Sequence, residues 1–305
     1  MLRKAVANLK KNHVIGLPTE TVYGLAGNAY SSKSVKNIYK LKKRPKYNPL
    51  IIHYFDKEAL KKDVILNENF FKLYKKFCPG PITFILRKKN ESKINPLALA
   101  KLKTVAIRFP HHKIIRLILK KISFPLAMPS ANISSSISPV CAKDVADEFQ
   151  QKIKFILDGG KSFVGIESTV VDLTNKPRIL RPGIIGPESI NKVLKVNVRY
   201  IKKTSIIKSP GMLKKHYSPG IPIKLNRIRG GKNDAYITFG KKYKKKYNHF
   251  NLSKKSNLNE AASNLYKIMR IIKKKKFKKI NVVKIPKRGI GIAINDRLER
   301  AARKK

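Results

Sequence analysis

The sequence predicts an α/β protein in two units, a large mixed one followed by a small parallel one. Three observations predict it. From residue 1 to about 198, short apolar runs bounded by turn residues alternate with amphipathic stretches. At about 199–222 the pattern breaks into turn chemistry, Ser209-Pro210-Gly211 and then Ser218-Pro219-Gly220-Ile221-Pro222. Beyond the break the order is strand, helix, strand, helix, which suits a parallel sheet. With 305 residues, 42% of them hydrophobic, the chain can build two ordinary cores.

In the first unit the apolar runs 14–17, 50–53, 82–86, 104–107, 126–128, 155–157, 168–173 and 178–180 read as strands. Apolar residues recur at helical spacing over 34–42, 68–77, 113–121 and 142–150. Asp144 and Asp147 sit within the last of these. In the second unit 235–239 and 280–284 read as strands, and 260–275 and the region near 293–302 as helices. The expected division is a domain over 1–200, a linker over 201–230 and a small α/β domain over 231–305.

Lys and Arg number 70 against 17 Asp and Glu, a net charge of +53. Such a surface suits anionic ligands or nucleic acid. Most of those cations are lysines, in a chain also rich in Asn and Ile, as an AT-rich coding sequence would produce. The lysine runs 241–246 and 273–279 therefore read as solvated faces. Cys78 and Cys141 lie far apart and outside any C-x-x-C, which argues against a disulfide scaffold or a zinc site. The charged amino terminus lacks an apolar signal core, and no stretch is long enough to span a bilayer. A soluble cytoplasmic protein, with no membrane partner, is expected.

Polar clusters directly follow several of the strands. The first is Pro18-Thr19-Glu20-Thr21-Val22-Tyr23-Gly24, a hydroxyl-rich loop where open α/β sheets place ligands; it also reads as a plain turn with a capping threonine. Next, Lys42-Lys43-Arg44-Pro45 sets two cations in a proline-stiffened loop, able to clamp phosphate oxygens. His53 ends the following apolar run and reads equally as a satisfied core histidine. Arg108 stands at a strand end before a proline, well placed for a carboxylate. Pro129-Ser130-Ala131-Asn132 offers a hydroxyl and an amide in one turn, and Glu167-Ser168-Thr169 with Arg181 repeats the theme. Neither a G-x-x-x-x-G-K-[ST] loop nor G-x-G-x-x-G, H-E-x-x-H or G-x-S-x-G occurs. Cations and hydroxyls without a base-paired nucleophile favour charge stabilisation of phosphoryl or nucleotidyl transfer over covalent catalysis.

In order, the strings P-T-E-T-V-Y-G-L, K-K-R-P-x-x-N-P-L-I-I-H, P-G-P-I-T, V-A-I-R-x-P-x-H, P-S-A-N-I-S and G-I-E-S-T-V-V-D…I-L-R-P-G cover about residues 10–190. Together they resemble the threonylcarbamoyl-AMP synthase family, with its YrdC-type catalytic domain. Residues 209–219 resemble the linker of the family's long two-domain form, and 289–302 the end of its extra domain. The resemblance implies a YrdC-like twisted mixed sheet with helices, plus a smaller Rossmann-like parallel domain. It implies adenylation: L-threonine, bicarbonate and ATP give threonylcarbamoyl-AMP and pyrophosphate, with Mg²⁺ sharing the phosphate charge, for modification of adenosine in tRNA. A tRNA or a tRNA-modifying transferase is the implied partner.

By the same resemblance, Lys42 and Arg44 are the catalytic cations. Arg44, Asn48, Thr104, Ser130, Asn132, Ser138, Arg181 and Tyr217 fall at ATP-binding positions. Thr21, His53, Arg108, Met128 and Ser168 fall at threonine-binding positions, with Arg108 or His53 available to the amino-acid carboxylate. No metal ligand is assigned. Many members carry Gly where Lys43 stands, so a side chain there suits only a negative φ. Two other readings compete. A non-catalytic RNA-binding module would explain the charge but does not need Thr21, His53 and Arg108. A carbamoyl transferase of hydrogenase maturation would add zinc-finger cysteines and an acylphosphatase-like segment, which this chain lacks.

Overall fold

The computed structural model describes residues 1–201, 207–213, 216–243 and 246–303. Parts of the expected linker and of the lysine run 241–246 thus lie outside the described residues.

The first unit runs α1 (Leu2–Lys10), β1 (Ile15–Leu17), β2 (Gly24–Asn28), α2 (Ser32–Lys42), β3 (Ile51–His53), α3 (Lys57–Leu60), β4 (Val64–Ile65) and α4 (Glu68–Phe77). It continues with β5 (Ile82–Lys88), β6 (Thr104–Arg108), α5 (Lys113–Lys121), β7 (Leu126–Ala127), α6 (Ala142–Phe149), β8 (Thr169–Asp172), β9 (Arg178–Arg181) and α7 (Pro187–Leu194). The helices start where side-chain acceptors take up orphan amides: the oxygens of Ser31 and Asn67 cap α2 and α4, and His112 Nδ1 caps α5. One mixed sheet has the order β1-β2-β7-β3-β6-β5-β8-β9, and β4 adds to β5.

The second unit holds β10 (Ile223–Leu225), β11 (Asp234–Thr238), β12 (His249–Asn251), α8 (Leu258–Lys274), β13 (Lys279–Val282) and α9 (Gly291–Ala302). Its sheet is parallel throughout, in the order β10-β13-β11-β12. This is the expected architecture, with differences that have physical causes. Residues 155–157 form no strand, because only Ile156 bridges to Gly16. β2 escapes a pattern reading because Gly-Leu-Ala-Gly-Asn is not a β-branched run; its neighbours β1 and β7 impose the pairing. β10 falls inside the stretch expected as linker.

Packing joins the units. The apolar cluster around α8 and β11 also contains Val22, Ile137, Val140, Val164, Ile166 and Tyr217. Gly165, at φ 76, makes this approach possible: a Cβ there would lie 2.5 Å from Ser263 Cα on α8. Acidic side chains of α6 meet basic ones of α8. Lys274 Nζ is 2.7 Å from Asp147 Oδ2, and Arg270 reaches Asp144 and Glu148 at 3.7 and 3.5 Å.

Candidate active site

Strand register assembles the site. β3 and β6 are parallel, with His53 level with Arg108. Across the antiparallel β5–β6 pair Arg108 faces Thr83; Thr83 then pairs with Val170, and Val170 with Arg181. One end of the sheet therefore carries His53, Arg108, Thr83, Ser168 and Arg181 in a row. A cleft with about 490 Å³ of empty space, part of it open to solvent, lies over that end. Of the residues expected in the site, Thr21, Arg44, His53, Arg108, Met128, Ser130, Arg181 and Tyr217 line it.

Each cation is held in place. Arg108 Nη2 donates to Glu20 Oε1 at 2.7 Å, with both side chains buried. Arg181 donates to the Ser168 carbonyl and hydroxyl and to the Pro210 carbonyl, all at 3.0 Å. Ser168 Oγ also lies 2.7 Å from Thr83 Oγ1, so this hydroxyl links the expected threonine and nucleotide ends. Arg44 donates through Nε to the Asn48 carbonyl at 2.9 Å, and through Nη2 to Asn48 Oδ1 at 2.5 Å and the Pro49 carbonyl at 2.8 Å. Burial pushes the Arg44 guanidinium down to about 10, so it keeps its charge at neutral pH.

Lys42 is placed differently from expectation. It is fully buried and outside the cleft lining, and its ammonium donates to the carbonyls of Ser130 (2.5 Å) and Asn132. Burial pushes it well below the usual lysine range. Lys42 thus braces the Ser130–Asn132 turn from behind. In that turn Ser130 Oγ donates to Asn132 Oδ1, and Asn132 Nδ2 donates to the Ile133 and Ser136 carbonyls. Thr104 stands at the far end of β6 from Arg108; the β3–β6 register, extended, sets it level with Pro49 and hence toward Arg44 and Asn48.

His53 is buried, and burial next to Arg108 pushes it well below the usual imidazole range. Its Nδ1 donates to the Ile51 carbonyl at 3.2 Å. A neutral His53 offers no charge, so of the two residues considered for the amino-acid carboxylate, Arg108 is the one suited. The Met128 amide is already given to the Ile51 carbonyl, leaving its own carbonyl for a ligand. Thr21 is drawn in by Thr19, whose Oγ1 lies 2.9 Å away and itself donates to the Val22 carbonyl.

Sequence reasoning did not single out Glu20, Glu167, His216 or Arg297. Glu167 accepts from Ser138 Oγ (2.6 Å), Tyr266 OH (2.9 Å) and Arg297 Nε (2.8 Å). Burial alone would raise this carboxyl; Arg297, Arg181 and the Ser138 hydrogen bond outweigh it and hold it down at about 2. Pro210, Gly211, His216 and Tyr217 cover the cleft from the expected linker. The Tyr217 amide donates to His216 Nδ1, so that nitrogen carries no proton, and burial pushes the ring down to about 3. The signal available in the sequence was position: both glutamates lie inside hydroxyl-rich strings at strand ends.

Buried polar atoms without a protein partner collect here. Among the described residues Arg108 Nε and Tyr217 OH are two such atoms on the cleft lining, and Glu20 Oε2 and Asn48 Nδ2 are two more on residues outside it. Leaving the two on the lining dry costs about 1–3 kcal/mol each, which a polar ligand in the cleft would recover. Among the described residues no three His, Cys, Asp or Glu side chains gather as a metal cage. No helix among them is long and apolar enough to cross a membrane. Both cysteines are free.

Residues 7–183 match the Sua5–YciO–YrdC family pattern, described as "Telomere recombination", and residues 185–303 match "Threonylcarbamoyl-AMP synthase, C-terminal domain". The threonylcarbamoyl-AMP synthases of Pyrococcus abyssi and Bacillus subtilis are each 35% identical; each comparison covers 99% of this chain, with 94% and 92% of the relatives. The crystal structure of P. abyssi Sua5 complexed with L-threonine superposes with a TM-score of 0.90 at 33% identity, over 99% of this chain and 94% of that one.

Proposed function

The chain belongs to the Sua5–YciO–YrdC family, and from that premise we infer that the cleft is an adenylation site. The protein is an L-threonylcarbamoyladenylate synthase: it forms threonylcarbamoyl-AMP and pyrophosphate from L-threonine, bicarbonate and ATP. The carrying observation is the cleft itself, where the fixed cations Arg44, Arg108 and Arg181 converge with two buried polar atoms that lack a protein partner, Arg108 Nε and Tyr217 OH.

In this reading N-carboxythreonine is the nucleophile; it forms as the threonine amine bonds to the carbon of bicarbonate and one of that carbon's oxygens leaves as water. A carbamate oxygen bonds to the α-phosphorus. The bond from that phosphorus to the bridging oxygen breaks, and pyrophosphate leaves with the electron pair. Negative charge grows on the phosphoryl and bridging oxygens, so cations that are already in place cost no reorganisation. Arg108 takes the threonine carboxylate, with Thr21, His53, the Met128 carbonyl and Ser168 around the amino acid. Arg44 and Arg181 face the phosphates. Asn48, Thr104, Ser130, Asn132, Ser138 and Tyr217 shape the nucleotide end, and Lys42 supports it from behind.

Because no acidic or histidine cage gathers among the described residues, Mg²⁺ would arrive here with ATP rather than sit in a site of the protein's own. When bound it neutralises phosphate charge. A cytoplasmic location goes with this reading. The product is a reactive mixed anhydride, so a tRNA, or a transferase that passes the group to tRNA, is the proposed partner.

Purified protein with ATP and Mg²⁺ is expected to release pyrophosphate only when threonine and bicarbonate are both supplied. No release under those conditions sinks the reading. Arg44→Ala is expected to lose about 10- to 100-fold in kcat/KM for ATP, the worth of one charge-assisted contact. Unaltered turnover in a folded variant would remove Arg44 from the site.

A further inference from the structure

We propose that Arg297, on the last helix of the second unit, is a positioning residue of the adenylation site. Acting through Glu167, it holds Ser138 and the linker residue Tyr217 in the geometry that receives ATP. The proposal rests on the adenylation reading and deepens it.

Arg297 is buried and every guanidinium nitrogen is used. Nε donates to Glu167 Oε2 at 2.8 Å, Nη1 to Asp296 Oδ2 at 2.7 Å and Nη2 to the Pro182 carbonyl at 2.9 Å. Its planar face lies over Tyr217, 5.0 Å from the ring centroid. One side chain of α9 therefore touches the loop after β9, the glutamate before β8 and the linker ring on the cleft.

Glu167 passes this order onward. Its Oε1 accepts from Ser138 Oγ at 2.6 Å, and Tyr266 of α8 donates to both carboxylate oxygens at 3.1 and 2.9 Å. The Tyr266 and Tyr217 rings stack at 5.9 Å, closing a ring of contacts. Neighbouring Arg300 repeats the linkage: it binds Asp296 and donates to the Leu213 carbonyl of the linker at 2.8 Å. A carboxylate buried beside a phosphate site repels the nucleotide unless a cation neutralises it, and Arg297 supplies that cation. Lysine cannot replace it fully, because an ammonium lacks the planar fork that serves three acceptors and a ring face at once.

The test uses the full chain and pyrophosphate release, with ATP and threonine titrated separately and thermal unfolding followed alongside. Arg297→Ala is expected to raise KM for ATP at least tenfold while KM for threonine stays within about twofold, and Arg297→Lys to restore part of the loss. Glu167→Gln combined with Arg297→Met is expected to do no more harm than the worse single change, because the two act as one unit. Equal loss for both substrates, or multiplicative losses in the double variant, overturns the proposal. So does unchanged kinetics in a folded Arg297→Lys protein, which decides the matter if Arg297→Ala fails to fold. Wild-type protein without turnover would overturn the adenylation reading itself; wild-type turnover with unaffected variants overturns only the role of Arg297.

Discussion

Lys43 shows how much a single backbone angle decides. It closes α2 at φ 48, ψ 43, the left-handed conformation in which glycine is favoured. The negative φ that would suit a side chain is not what the structure holds. A lysine there costs about 1–2 kcal/mol of local strain, partly offset because glycine loses more entropy on folding. Lys43→Gly is therefore expected to raise stability by about 0.5–1 kcal/mol in urea unfolding, with ATP turnover retained. A less stable variant would refute the strain. At this scale residue types at the site were legible in the sequence, but not their partners. Arg108 announces a carboxylate site by standing at a strand end. That Glu20 already holds it on one side follows only from folding the P-T-E-T loop back across β6. Lys42 shows the same limit: charge in a motif does not say which way the side chain leaves the backbone, and here it turns to the Ser130 and Asn132 carbonyls.

Elements with strong periodicity were legible almost to the residue. The helix expected over 113–121 is α5, and that over 68–77 is α4, because both set one apolar face against the sheet. What escaped was decided by neighbours. β2 has no pattern of its own, α7 begins with Pro-Glu-Ser and lies beyond the recognised strands, and the Phe155 run never gains a second partner. The contact of α8 with the loop before β8 also belongs here, and Gly165 governs it. An alanine at that position meets both a φ of 76 and the Ser263 backbone at 2.5 Å, and backbone cannot yield as a side-chain tip can. Gly165→Ala is expected to cost about 2–4 kcal/mol in chemical unfolding, combining left-handed strain with overpacking. It should also weaken ATP saturation by drawing α8, and Tyr266 with it, away from Glu167. A change under about 0.5 kcal/mol would show that the units are not pressed together at this point.

Over the whole molecule, the net charge of +53 proves a poor guide to the site and a good guide to its fragility. The cations on the cleft and its support, Arg44, Arg108, Arg181 and Arg297, are buried arginines with Lys42 behind them, while the surplus is mostly lysine. Seventeen acidic side chains must offset all of it, so losing even one buried carboxylate charge matters. Glu167 is held at about 2 against a usual 4.5, and His216 at about 3 against 6.5. In both cases the unfolded chain takes up a proton at a pH where the folded chain still refuses it. Stability is then complete above about 6.5 and falls as pH drops, first through His216 and below 4.5 through Glu167 as well. Both groups lie where the linker and second unit meet the cleft, so acid should loosen that junction. The midpoint of thermal unfolding, followed from pH 7 to pH 3 at a fixed salt high enough to screen general repulsion, is expected to fall steeply below 4.5. Glu167→Gln should be less stable at pH 7, because Arg297 loses its counter-charge, yet should lose less on acidification. The two curves therefore converge toward acid. Parallel curves would mean that the Glu167 charge is not what joins the second unit to the site.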